Sequence, residues 1–377
     1  MEITDVSARP VVMPTEGSVE ASSYSKGGRG TTMVTLETDG DVTGYVHSGD
    51  ILDSNPERAA TLKSYIEEHV APHVIGQDLF AVERGWEAAF EQSSKFSAYN
   101  YNSRQLYVHA LGAVDIARWD AIGKATGQPL YKLWGGYRDS LPIIAIGGYY
   151  KEGGDDDLRK DVAEYQRLGF GGLKLKVGGR SPERDLERLA VVAEAADDDF
   201  DIMCDANQGY SIEEAIEFAE GAREYDIGWF EEPVAWHDQY AGMAEVRQRT
   251  GVPVTAGQSE SAASACRRLV EEDAVDIINM DASIGGGPTQ WRKVAKMAEL
   301  NGVSMAHHEE PQISMHLLAS IPNGLYAEAF HPSIDPVWWE LVSDKPEISD
   351  GTIDLPGAPG LGVDYDESLI EEHAVDV

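Results

Sequence analysis

The 377-residue chain carries 66 Asp and Glu against 30 Lys and Arg, a formal net charge of −36, and 42% of it is apolar. Nucleic-acid phosphates and anionic membranes repel such a chain, and no Lys/Arg cluster offers a local exception. Acidic disordered chains lack large apolar residues, whereas 8 Trp, 16 Tyr and 8 Phe are spread along most of this one. It therefore folds, as one large α/β domain or as two domains sharing a core.

The segment Met1 to Glu20 has no basic stretch followed by an apolar run, and nowhere do 18 apolar residues stand together. The two cysteines, Cys204 and Cys266, form no C-x-x-C pair, which excludes a disulfide framework and makes the cytoplasm the expected compartment. Residues 1–137 read as an α+β unit. Thr31–Thr38 and Val42–Val46 flank Asp39-Gly40-Asp41, a hairpin signal. Val108, Leu111, Ile116, Trp119 and Ile122 then lie on one face of a helix that Gly127-Gln128-Pro129 stops.

Residues 138–330 change texture. Apolar runs at Pro142–Tyr149, Gly172–Val177, Ile202–Ala206, Gly228–Glu232, Val252–Gln258, Val275–Asp281, Val303–His307 and Leu325–Phe330 alternate with helix-sized segments. Their count and order predict a modified (β/α)8 TIM barrel. One helix is well marked, with Ser211 as cap, Glu214 completing a capping box, and Ile212, Ala215, Ile216, Ala219 and Ala222 as its buried stripe. No G-x-G-x-x-G follows the first strand, against a doubly wound open sheet. Residues 331–377 form a tail expected to pack back on the first region, completing an α+β capping domain.

Side chains at the C-terminal ends of parallel barrel strands converge on one mouth. Those ends carry Lys174 and Lys176, Asp205, Glu231, Gln258 and Glu260, Asp281, His308, and Glu328. Two lysines two apart on a strand face one side, and inside a barrel they need carboxylates, which Asp205 and Glu231 on the next two strands can supply. The same two acids present hard oxygens to a common point, suited to Mg²⁺. Asp281 and His308 can form a dyad in which the acid fixes the imidazole tautomer and raises its pKa.

Taken together the sequence resembles the enolase superfamily, in its mandelate racemase/muconate lactonizing enzyme-like branch of acid-sugar dehydratase type. The resemblance spans essentially the whole chain. It is carried by Val114-Asp115-Ile116-Ala117-Arg118-Trp119-Asp120, Gln128-Pro129-Leu130-Tyr131-Lys132-Leu133-Trp134-Gly135-Gly136, Lys174-Leu175-Lys176, Asp205-Ala206-Asn207-Gln208, Trp229-Phe230-Glu231-Glu232-Pro233, His307-His308 and the closing Leu355-Pro356-Gly357 to Gly362. It implies one Mg²⁺ per site and abstraction of the proton α to a carboxylate. Lys176 is then the base on one face, His308 with Asp281 the acid/base on the other, and Glu328 a hydrogen-bond donor to the substrate carboxylate. Lys174 would lower the pKa of Lys176 and contact that carboxylate. The third metal ligand of the family is normally a Glu; the matching position is Gln258, and Glu260, two residues on, is the alternative.

The function this implies is dehydration of an aldonate or aldarate through an enediolate to a 2-keto-3-deoxy acid. A racemase or epimerase needs the same two-faced arrangement. A Schiff-base aldolase using Lys176, or a barrel that only binds an acid, also fits the residues. Candidate substrate contacts are Asn207, Tyr24 in Ser22-Ser23-Tyr24, His47-Ser48-Gly49-Asp50, and Tyr149 and Tyr150. The expected partners are a small carboxylate and further copies of the chain. The acid-coated composition, with only 12 lysines against 18 arginines, resembles that of proteins from salt-loving organisms.

Overall fold

The computed structural model describes residues 1–15, 19–22, 25–26, 28–51, 56–96 and 103–375. The chain opens with a three-stranded antiparallel sheet, β1 (Ile3–Met13), β2 (Arg29–Thr38) and β3 (Thr43–Ile51), in the order β1-β2-β3. The β2–β3 pair is the predicted hairpin, with Glu37 opposite Thr43 and Val34 opposite Val46. Helix α1 (Arg104–Thr126) crosses this sheet; Ser103 caps its start and Gly127, left-handed at φ 67°, ends it. The close approach depends on Gly44, where a Cβ would sit 2.0 Å from the Ala117 carbonyl oxygen.

Eight parallel strands follow: β4 (Ser140–Gly147), β5 (Gly172–Lys176), β6 (Asp201–Asp205), β7 (Phe230–Glu231), β8 (Val254–Ala256), β9 (Ile277–Ile278), β10 (Ser304–Met305) and β11 (Ala327–Phe330). Each strand from β4 to β9 pairs with the next, and β11 returns to pair with β4. A single parallel bridge from Met305 to Gly324 closes the ring between β10 and the approach to β11. A helix follows each of the first seven strands, including the capped Ile212–Ala222; directly after β11 comes a wide helical turn, Val337–Leu341, so the barrel is modified at that point.

On β5 the period of two separates functions. Leu173 and Leu175 join the main apolar core, while Lys174 and Lys176 take the other face. Below them, Ile144, Met203, Trp229, Ile277 and Ala306 form a separate buried cluster. The tail packs back as predicted: Ile370 sits with Val11, Met13 and Met33, and Val11 pairs with Ala374. Among the described residues no helix is long and apolar enough to cross a membrane.

Candidate active site

Register brings the charged strand ends together. Lys176 lies opposite Asp205, and Asp205 opposite Glu231, so three functional side chains stand level on β5, β6 and β7. Lys176 Nζ is 2.6 Å from Asp205 Oδ2 and 5.8 Å from the centre of the Tyr149 ring. Burial alone would raise the Asp205 carboxyl, but the Lys176 and Lys174 ammonium groups outweigh it and hold it below the usual carboxylate range.

Lys174 is fully buried, 2.7 Å from Glu328 Oε1 and 3.2 Å from Glu231. Burial works against its charge, yet these two carboxylates leave it above the ordinary lysine range. It is a fixed cation. Glu231 also accepts hydrogen bonds from Asn279 Nδ2 (2.8 Å) and Trp229 Nε1 (3.1 Å), and burial pushes its carboxyl up to about 8 despite Lys174. Lys174→Met would leave Glu231 and Glu328 buried without their shared cation. We expect a loss of about 3–5 kcal/mol in denaturant unfolding, with Lys174→Arg milder.

Glu328 Oε1 faces Lys174 at 2.7 Å, and its Oε2 accepts from the Glu309 backbone N–H at 3.1 Å.

Two adjacent histidines divide by environment. His307 Nδ1 donates to the His308 carbonyl (2.8 Å) and its Nε2 accepts from Ala282 N–H (2.9 Å), which fixes a neutral ring, and burial lowers its pKa. His308 pairs instead through Nδ1 with Asp281 Oδ2 at 3.1 Å. Ser283 donates to Asp281 Oδ1 from both N–H (2.8 Å) and Oγ (2.7 Å) and fixes that acid. Burial pulls His308 down, but Glu309 and Asp281 raise it to about 9. Strands β5 and β10 stand three positions apart round the ring, so Lys176 and His308 address the mouth from different sides, with the Lys174–Glu328 pair between them.

The two candidates for the third metal position separate. Glu260 is drawn outward: its Oε1 accepts from Tyr240 OH (2.7 Å) and Gln239 Nε2 (3.3 Å) on the helix Gln239–Thr250. Gln258 donates Nε2 to Glu232 Oε2 at 3.1 Å, while its Oε1 is buried without a hydrogen-bond partner, as is Asn207 Oδ1. Among the described residues no three His, Cys, Asp or Glu side chains gather as a metal site. Two carboxylates and unpaired amide oxygens are what an oxygen-seeking divalent cation would find here.

Several expected substrate contacts turn elsewhere. Tyr150 OH donates to Asp185 (2.9 Å) and accepts from Gly179 N–H (2.8 Å), which commits it to holding the strand-end loops together. Tyr149 does lie at the mouth, packed with Ala21, Ile146 and Phe330. Ser22 Oγ donates to the Ala206 carbonyl at 2.6 Å, so the capping domain touches the end of β6. His47 is buried against the Tyr365 hydroxyl, and burial, then Arg29, lowers it to about 3. Tyr24, Ser23 and the Asp50 side chain lie outside the described residues.

The sequence reading also passed over buried acids. Glu232, left-handed at φ 38°, accepts from Gln208, Gln258 and Ser259. Glu309 lies 3.3 Å from His308 Nε2 and 3.4 Å from Arg29, a capping-domain residue that also pairs with Asp335 at 3.0 Å. A doubled Glu just before Pro311 and its helix was the available signal, and in so acidic a chain it did not stand out.

Known proteins are similar to this chain over both of its regions. Residues 3–135 match the mandelate racemase / muconate lactonizing enzyme N-terminal domain, and residues 157–369 the enolase C-terminal domain-like family. Arabinonate dehydratase of Saccharolobus solfataricus is 29% identical over 336 residues, 88% of this chain and 87% of that protein. D-galactarolactone cycloisomerase of Agrobacterium fabrum is also 29% identical, covering 99% of this chain and 98% of its own. A mandelate racemase/muconate lactonizing enzyme from a marine actinobacterium, solved in complex with magnesium, superposes with a TM-score of 0.91 at 42% identity, covering 100% of this chain and 99% of that one. The chain belongs to the mandelate racemase/muconate lactonizing enzyme branch of the enolase superfamily.

Proposed function

We propose that the chain is a Mg²⁺-dependent sugar-acid dehydratase that removes the α-proton of an aldonate or aldarate and expels the β-hydroxyl. The observation that carries this reading is the pairing of Lys176 on one side of the mouth with a proton-bearing His308 on another. The arabinonate dehydratase relative supports the substrate class. Asp205, Glu231 and Gln258 Oε1 would hold the cation; Glu260, tied to Tyr240, is the weaker candidate. Bound Mg²⁺ supplies Lewis acidity that stabilises the charge developing on the substrate carboxyl group.

The chain's own residues do the rest. Lys176, as the neutral amine, takes the α-proton at Nζ. Lys174, kept cationic by Glu231 and Glu328, adds fixed positive charge where the enediolate forms. His308 delivers a proton from Nε2 to the departing hydroxyl while Asp281 holds Nδ1. Tyr149 and Ser22 lie where the capping domain meets the mouth and would help shut water out.

The test is a panel of C4 to C6 sugar acids with Mg²⁺ at high salt, assayed with semicarbazide for 2-keto-3-deoxy products. No product from any acid would defeat the reading. Deuterium wash-in at the α-carbon with inversion and no loss of water would instead favour a racemase or epimerase. Millimolar Mg²⁺ should raise the melting temperature, since a ligand at a hundred times its Kd adds about 2.7 kcal/mol to the folded state. EDTA should abolish both the shift and turnover, and Asp205→Asn should blunt the shift.

A further inference from the structure

We propose that Glu309 is a positioning residue for His308, holding the Nε2–H of the imidazole from the mouth and keeping the ring protonated until substrate takes Nε2 over. Both ring nitrogens of His308 face carboxylates: Nδ1 lies 3.1 Å from Asp281 Oδ2, and Nε2 lies 3.3 Å from Glu309 Oε1. A neutral imidazole has one donor and one acceptor, so it can satisfy only one of them, whereas an imidazolium satisfies both.

Glu309 is built into this place. Glu309 and Glu310 are consecutive non-glycine residues at φ 51° and 50°, a backbone that costs about 1–3 kcal/mol per residue and persists only where its surroundings impose it. The Glu309 N–H is fixed on Glu328, and Oε2 is 3.4 Å from Arg29 of β2, which Asp335 of the tail grips in turn. The capping domain thus holds the second oxygen of the carboxylate whose first oxygen meets the catalytic histidine.

The charged groups facing His308 are Asp281 beyond β9, Glu309 on its own loop, Lys174 from β5 and Glu232 from β7, with His307 beside it. Burial is the largest influence and disfavours the charge, as does Lys174; the two acids in contact prevail. During dehydration the Nε2 proton passes to the β-hydroxyl, and the C–O bond breaks with its electron pair on oxygen, which leaves as water. The enediolate pair becomes the Cα=Cβ bond. The ring, now neutral, takes a proton from solvent and returns to Glu309, which Arg29 has retained.

This inference rests on the assignment of His308 as the acid, and its test separates the two. Histidine NMR titration of the whole protein, with His308 assigned by His308→Asn, is compared in wild type, Glu309→Gln and Glu309→Asp, alongside kcat against pH on an active sugar acid. Glu309→Gln keeps size and one acceptor oxygen but removes the charge. We expect the His308 midpoint to fall by about one unit or more. The basic limb of kcat should move with it, giving an about fivefold or greater loss at pH 9 and little at pH 6.5, with Glu309→Asp largely restoring both. An unmoved His308 midpoint would overturn the proposal, as would a loss equal at every pH that Glu309→Asp does not relieve. If His308→Asn kept full turnover, the assignment of His308 as the acid would fail, while a shifted midpoint in Glu309→Gln still upheld the Glu309 contact.

Discussion

Lys176→Met should lower turnover by about 10²–10⁴-fold, the range a positioned general base contributes. The side chain is 3% exposed, so methionine keeps most of its packing volume and the fold should survive. What disappears is the nitrogen proposed to take the proton and the partner 2.6 Å from Asp205. Lys174 still faces that acid, so Asp205 is not left alone in the barrel. The decisive measurement is solvent deuterium exchange at the substrate α-carbon. Lys176→Met should lose both exchange and dehydration. His308→Asn should lose dehydration but keep exchange, because only the departure of the hydroxyl needs its proton. Retention of α-exchange in Lys176→Met, with its circular dichroism intact, would show that some other group is the base. A substrate adduct trapped on Lys176 by borohydride would point to an aldolase instead.

The parts of this site legible in the sequence are those set by a short period. The alternation on β5 puts Lys174 and Lys176 on one face whatever the tertiary context, and parallel register then aligns Lys176, Asp205 and Glu231. The capping box at Ser211 and the hairpin at Asp39-Gly40 are equally local. Strand limits were harder to read. Val275–Asp281 reads as a seven-residue run, yet only Ile277–Ile278 pairs with strands on both sides, because the chain leaves the ladder to carry Asn279 and Asp281 into the mouth.

What could not be read depends on contacts between distant segments. Nothing near Tyr150 in sequence indicates that its hydroxyl will be held by Asp185 and Gly179. The choice between Gln258 and Glu260 turns on Tyr240 and Gln239, on the preceding helix. Glu309 becomes significant only when left-handed backbone turns it toward His308 and when β2 brings Arg29 across from the capping domain. Gln258 shows the same point from the chemical side. The missing third acid was visible as a substitution, but its unpaired Oε1, and the Glu232 that holds its Nε2, appear only in the folded chain.

The net charge of −36 leads to the other large expected effect, a melting temperature that climbs steeply between 0.1 M and 2 M KCl. The runs Asp197-Asp198-Asp199 and Glu271-Glu272-Asp273 are exposed, so their repulsion is a property of the folded surface. The available cations form mostly surface pairs, such as Arg268–Glu272 at 2.6 Å and Lys160–Asp157 at 2.9 Å, which water and salt screen. They cannot neutralise an excess of this size. Folding brings these acids closer than they are in the expanded chain, and at 0.01 M salt the Debye length of ~30 Å lets them repel across much of the protein. At 1 M it is ~3 Å, and the penalty on the folded state is largely gone. With about 2.1 cal/mol/K of unfolding entropy per residue, each kcal/mol of relief should raise the melting temperature by roughly 1–2 °C in a protein of this size, so the climb reads how much repulsion is screened. Screening also predicts the shape of the curve. It should flatten above about 1 M, where the Debye length is already shorter than the spacing between charges, whereas stabilisation by solute exclusion, as with sucrose, keeps rising with concentration. Activity should follow the folded fraction. A melting temperature that stays flat from 0.1 M to 2 M KCl, with full activity at the lower value, would show that the acidic surface carries no such penalty.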